Sequence, residues 1–345
     1  MKKMLALLLA LVMVLSLAAC ASSQPAAAST ETAETTETTE PAAEESAEAP
    51  AESGKTYTVG VCQLVQHEAL DAATQGFIDA LKEELGDAVT VDVQNASGDS
   101  VNCGTIVNGF VSKGVDLIMA NATPALTAAV SATADIPILG TSITAYGVAL
   151  DIDDFNGTVG GNVSGTSDLA DLQAQAQMIL DWFPETKTVG LLFCSAEPNS
   201  RYQIGEVAKC LSDKGIETKE FAFTDTNDVA SVTQSAADYS DVVYVPTDNT
   251  AASNTEAIAN VLVPAGVPAI CGEEGICKGC GVATLSISYY DLGVTTGKMA
   301  AKILTGEADI SEMPIEFTEA TPKYNASMCE TLGIEPLEGY TATEE

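Results

Sequence analysis

From Thr58 onward, short apolar runs alternate with amphipathic stretches of helical period, and the whole alternation occurs twice. Nothing else in the chain restricts its fold as much. Thr58–Val65 reads as a buried strand, and Glu68–Leu85 places Leu70, Phe77, Ile78, Leu81 and Leu85 on one helical stripe. Val89–Val93, Asp116–Ala120 and Ile136–Gly140 read as further strands. Ser100–Ser112 and the segment opened by Thr123-Pro124 read as helices, the latter with a capping residue and a first-turn proline. The pattern restarts with a helix at Leu169–Phe183. Strands Thr188–Phe193, Thr218–Phe223, Asp241–Val245 and Val267–Cys271 then alternate with helices Asn199–Lys214, Asp228–Asp238 and Ser253–Pro264, and Tyr289–Leu304 is a last helix stopped by Gly306. Such alternation predicts parallel sheets covered on both faces. Two series predict an α/β chain of two similar Rossmann-like lobes, and the length from about Thr56 suits two lobes better than one.

The N-terminus carries a different signal. Lys2 and Lys3 precede the apolar run Leu5–Leu17, and Leu17-Ala18-Ala19-Cys20 follows the pattern of a lipoprotein cleavage site. Residues 1–19 are expected to be removed and Cys20 to carry lipid, which makes an anchor and not a span, because the apolar run falls short of the roughly 20 residues a membrane helix needs. Residues 20–55 are almost wholly Ala, Thr, Ser, Glu and Pro, with too little apolar surface to offset chain entropy. They are expected to form an acidic tether reaching on the order of 100 Å at full stretch. The formal charge of −35 argues against DNA, RNA or anionic lipid surfaces as partners.

In open α/β sheets, ligands sit beyond the carboxyl ends of the strands. The segments there are unusually polar: Gln63–Glu68, Asn121–Thr123 and Thr141–Thr144 in the first series, and Ser195–Ser200, Thr247–Asn249 and Gly272–Gly275 in the second. Two lobes with polar strand ends facing one another make a cleft, and closure of a cleft over a ligand is the behaviour of solute receptors.

Several stretches carry a family likeness. They are Gln66–Asp71, Ala122–Pro124, Gly161–Asp168, Glu197–Ser200, Val245–Thr250, Tyr289–Gly293 and Thr296–Leu304. In this order and spacing the chain resembles the tryptophan/tyrosine-type substrate-binding proteins of ABC transporters, within the type I periplasmic-binding-protein fold. The resemblance implies uptake of a small solute, aromatic amino acids being the best-known class, and three chain crossings between lobes. It implies a first lobe of 56–165 plus 289–310 and a second of 166–288 plus 311–340. It also implies an ABC permease as partner and an extracytoplasmic location. Two features depart from the family pattern: Ser288 stands where an acid usually precedes the paired tyrosines, and Cys271–Cys280 is rich in cysteine.

A zwitterionic amino acid needs donors for its carboxylate and acceptors for its ammonium. Helix N-termini supply donors, which points to Thr123, Ser142 and Thr144 in the first lobe and Asn199 and Ser200 in the second. A plain N-cap explains Thr123 equally well. For the ammonium, Asp248 leads, followed by Glu274, Glu197 and Glu68, although acids in first turns need no ligand. Gln63, His67, Thr247 and Asn249 complete the polar strand ends, and Tyr146, Tyr202 and Tyr289 offer aromatic walls or ordinary packing.

His67 is the only histidine, and no Gly-x-Ser-x-Gly elbow accompanies it, so a hydrolytic triad has no support. Gly157–Gly161 lacks the spacing of a dinucleotide loop. With Cys20 set aside, eight cysteines are left. Cys62, Cys194 and Cys271 read as packing residues in or at the ends of strands. Cys271, Cys277 and Cys280 lack a fourth metal ligand, and a Cys277–Cys280 disulfide stays open. A monomer with no cofactor, no metal and no catalytic set is expected. A nucleoside or sugar receptor of the same fold, and a sensory lipoprotein that presents its ligand, are the alternative readings.

Overall fold

The computed structural model describes residues 54–343. The leader, Cys20 and nearly all of the acidic tether lie outside the described residues. The first series runs β1 (Tyr57–Gln63), α1 (Glu68–Leu85), β2 (Val89–Asn95), α2 (Ser100–Lys113), β3 (Leu117–Asn121), α3 (Thr123–Ala132), β4 (Ile138–Ile143), the one-turn α4 (Tyr146–Ala149) and β5 (Val163–Ser167). The second runs α5 (Leu172–Trp182), β6 (Thr188–Cys194), α6 (Pro198–Asp213), β7 (Glu217–Phe223), α7 (Val229–Ala237), β8 (Val242–Val245), α8 (Asn249–Ala252), α9 (Thr255–Ala265), β9 (Ala269–Cys271), α10 (Glu274–Cys280) and β10 (Ala283–Ser286). Then follow α11 (Tyr289–Thr305), β11 (Glu316–Phe317), β12 (Thr321–Tyr324), α12 (Ala326–Leu332) and β13 (Thr341–Ala342).

These strands make two sheets, ordered β11-β5-β4-β3-β1-β2 and β13-β12-β10-β9-β8-β6-β7. The first is parallel throughout. The second is parallel except where β12 meets β10 antiparallel. The pleat sends alternate residues to opposite faces. In β3, Ile118 and Ala120 join Val107, Phe110 and Leu126 of α2 and α3. Leu117 and Met119 join Phe77, Leu81, Met299 and Leu304 of α1 and α11. In the second sheet Val189, Leu191 and Phe193 face α5 and α6, while Leu192, Val243 and Val245 face α7 and α9. Both sheets are therefore covered on both faces, as the apolar runs require.

The chain passes between the sheets three times: at 168–171 after β5, at 287–288 after β10, and at 318–320 after β11. The middle crossing returns α11 to the first sheet. There it packs along α1, where a β-carbon on Gly293 would strike the backbone of Ala73. β11 pairs with β5 through Glu316↔Thr166 and Phe317↔Ser167. Two residues of edge pairing thus bind that segment to the first sheet.

Candidate functional site

The carboxyl ends of β1, β4 and β5 face those of β6, β8 and β9. The β4 end is irregular. Its register with β5 shifts between Gly140 and Ile143, and Ser142 takes a left-handed φ of 56° that a non-glycine residue adopts only when its surroundings impose it. Ser142 is buried, and its hydroxyl has no partner. Thr144 follows, buried, with its carbonyl accepting from the Ser167 hydroxyl at 3.1 Å.

Asp168 opens the first crossing. One carboxylate oxygen accepts from the Tyr289 hydroxyl at 3.0 Å, and the other has no partner. Burial pushes its carboxyl up to about 6, although the Tyr289 and Thr144 hydroxyls oppose the shift. Its Tyr289 partner opens α11 just after the second crossing, so the bond ties two crossings together.

From the second lobe, α6 brings Asn199. Its amide nitrogen donates to Thr247 O at 3.2 Å, and its Oδ1 has no partner. Asp248 caps α8: it accepts from Ala251 N at 2.8 Å and from Cys194 N at 2.6 Å. Burial raises its carboxyl well above the ordinary range, and Glu197 nearby adds to the shift. Glu273 caps α10 by accepting from Gly275 N at 2.7 Å and from Ile276 N, and burial lifts it to about 7.

His67 Nε2 meets Asn249 Oδ1 at 3.3 Å across the cleft. Burial lowers the His67 pKa and so favours the neutral ring. With Leu70, Thr247 and Ala252, these groups enclose a cavity in which only about 10 Å³ is open to the centre of a water molecule, roughly the room of one water. The lobes thus meet closely, and Lys278 Nζ also pairs with Glu68 Oε1 across them at 2.6 Å.

Of the residues read from the sequence, His67, Ser142, Thr144, Asn199, Thr247, Asp248, Asn249 and Tyr289 line this cavity. Others are occupied elsewhere. The Gln63 amide is used on Val65 O, Asp71 and Thr74. Glu197 accepts four hydrogen bonds from Asn249 and Thr250 at the start of α8. Ser200 is buried behind Asn199 and reaches Thr247 O at 3.4 Å. Thr123 is buried in the first turn of α3, away from the lining. Glu68 and Glu274 are held in ion pairs with Lys278 and Lys323. The reading missed Asp168, Glu273, Leu70 and Ala252 as lining residues. Asp168 ends the stretch Gly161–Asp168 and was legible there only as family likeness.

Three grooves adjoin the cavity, one of about 400 Å³ beside His67, Ala252 and Glu273 and two at opposite edges. At the crossing edge lies one of about 580 Å³, lined by Tyr146, Phe155, Leu169, Tyr202, Ile315 and Phe317 among others. At the far edge lies one of about 330 Å³, between Ser97–Ser100 and Thr224–Thr226. Among the described residues no cluster of three or more His, Cys, Asp or Glu side chains is set to hold a metal. The eight described cysteines are free thiols, all but Cys210 buried.

Two parallel α/β lobes with three crossings and a polar cavity between them define a cleft-type solute receptor. Residues 58–338 match the family model described as ABC transporter substrate binding protein, and the chain belongs to that family. It is 32% identical over 276 residues to a tyrosine-binding protein of Clostridioides difficile (strain R20291), covering 78% of this chain and 79% of that one. An ABC domain from Streptococcus pneumoniae, solved in complex with L-Trp, is 31% identical with a TM-score of 0.79, covering 84% of this chain and 99% of that one. The ligand-free, open structure of a substrate-binding protein with adhesive properties from Clostridium difficile is 33% identical with a TM-score of 0.65, covering 84% and 99%. At nearly equal identity, the TM-score is higher for the L-Trp complex than for the open protein. Members of this family bind a solute outside the cytoplasm for an ABC permease.

Proposed function

We propose that the protein captures an aromatic L-amino acid between its lobes and delivers it to an ABC permease, as a monomer held outside the membrane by lipid on Cys20. The observation that carries the site is the convergence of three unpartnered buried polar atoms: Ser142 Oγ, Asp168 Oδ1 and Asn199 Oδ1. Buried polar groups are normally satisfied, and a zwitterion supplies what these lack. Asp168 takes the ammonium in preference to Asp248, whose two oxygens already receive backbone N–H groups. Ser142 and Thr144 donate to the carboxylate. The similarity to relatives described as tyrosine-binding and L-Trp-bound supports the ligand class, and the higher TM-score for the L-Trp complex supports capture by closure. The domain reading becomes 56–167 with 289–317, and 168–288 with 321–340.

A thermal-shift screen against amino acids, nucleosides and sugars tests this, since a ligand that binds only the folded state raises the melting temperature. At a hundredfold excess over Kd the gain is about 2.7 kcal/mol. L-Tyr or L-Trp should give the largest shifts. Stabilisation confined to nucleosides or sugars would overturn the proposal.

A further inference from the structure

The polar cavity makes no use of the cysteines in 271–280. We propose that Cys271 and Cys280 are a dithiol that closes to a reversible disulfide outside the cytoplasm and fastens α10 to β9 beside the cleft.

Topology brings the pair together. Cys271 ends β9, α10 leads away from the sheet and back, and Val282 N then bonds Ala269 O at 2.8 Å as the chain enters β10. Cys280, two residues before that bond, is thereby returned to the end of β9. The Cys271 sulfur lies against the next residue, since a β-carbon on Gly281 would strike it. The two thiols hydrogen-bond to each other, and Cys280 Sγ also donates to Ile276 O at 3.3 Å. Bonded cysteines need Cβ atoms about 3.5–4.5 Å apart. Cys277 and Cys280 sit three positions apart on one helix, where Cβ atoms are about 5–6 Å apart. A bond between those two would distort the turn, whereas Cys271 meets Cys280 from another element.

Access is controlled by α10 itself. All three thiols are buried, and burial pushes Cys271 and Cys277 well up, which keeps them protonated and slow to react. α10 is only seven residues long. It is anchored by the Glu273 cap and by Asn325, whose amide donates to Cys277 O at 2.9 Å and Lys278 O at 2.8 Å. Gly275, Lys278 and Gly279 of α10 border the groove of about 400 Å³. Local opening of this short helix toward the groove exposes the pair. One thiol attacks a small-molecule disulfide, breaking its S–S bond and releasing one small thiol. The second attacks the mixed disulfide and releases the other. The protein gives up two protons and two electrons, and the small disulfide takes both. α10 starts at the cavity wall beside Glu273 and carries Lys278 to Glu68 of the other lobe. The redox state of the pair thus sets how firmly that wall is held.

The folded mature chain, treated with oxidised glutathione, alkylated and mapped by peptide mass spectrometry, tests this. Tryptic cleavage after Lys278 parts Cys271 and Cys277 from Cys280, so the proposed bond joins two peptides. The link should form in the wild type and in Cys277→Ser, be absent from Cys271→Ser and Cys280→Ser, and be reversed by dithiothreitol. Oxidation should raise the melting temperature of the wild type by about 5 °C more than that of Cys280→Ser, the scale for closing a loop of about ten residues. The wild-type map does not depend on how the variants fold. If Cys271 and Cys280 are both alkylated after oxidation, or if the cross-link runs through Cys277, the proposal is overturned.

Discussion

A carboxylate with one oxygen tied and the other bare, shut away from water, is a group waiting for a cation. Asp168 is in that state, with Tyr289 on one side and nothing on the other. Burial pushes its carboxyl up to about 6, and an ammonium ligand needs it ionised. The affinity for L-Tyr or L-Trp should therefore be nearly flat above pH 7 and fall about tenfold per pH unit below 6. Calorimetry at pH 7.5, 6 and 5 measures this. Asp168→Asn should be weak at every pH and lose the slope; a wild type with pH-independent affinity would remove Asp168 from the ammonium site. Ser142 shows a related economy: its left-handed backbone costs about 1–3 kcal/mol, and it turns an unpartnered hydroxyl into the cleft.

Helices and strands show where reading from the sequence succeeds and where it stops. α11 depends on close approach to α1, and Gly293 sits where any β-carbon meets the Ala73 backbone. Gly293→Ala should cost about 1–3 kcal/mol through overpacking, seen as a lower midpoint in urea unfolding with an unchanged slope; an unchanged midpoint would mean that α11 has room to shift. Such long elements were plain in the sequence because apolar residues repeat at their period: α1 was expected at Glu68–Leu85 and lies there. β5 was not expected. Val163-Ser-Gly-Thr-Ser has one large apolar residue, yet it is buried throughout. Hydroxyl pairing takes the place of apolar packing, since Thr166 bonds Thr141 and Thr296, and Ser164 reaches Met313 O. Hydropathy cannot register that substitution. The same blindness hid Asp168, whose importance comes from Tyr289, 121 residues away, and it promoted Asp248 and Glu197, whose oxygens the backbone had already taken.

Across the whole molecule, charge and burial act together on stability. Asp168, Asp248 and Glu273 all have folded-state pKa values raised above the ordinary carboxylate range near 4. Raised carboxyls favour the folded state most below their unfolded pKa, and that contribution is lost as pH rises to the folded values. His67, lowered by burial, opposes this below about 6.5, but it is one group against three. Repulsion within a chain of formal charge −35 also eases as pH falls. The ligand-free protein should therefore melt at a higher temperature at pH 5 than at pH 8; the reverse order by calorimetry would show that the three carboxylates stay ionised when folded. The crossings carry a last consequence, one of leverage. Asp168 stands on the pivot, whereas Ser97–Ser100 and Thr224–Thr226 lie at the opposite edge, four strand spacings or about 19 Å from β5 in the first sheet. Travel grows with distance from an axis. A swing that parts the far rim by several ångströms hardly moves the carboxylate, so the outer contacts would fail first, and an ammonium held by Asp168, as proposed, would be the last grip to be released.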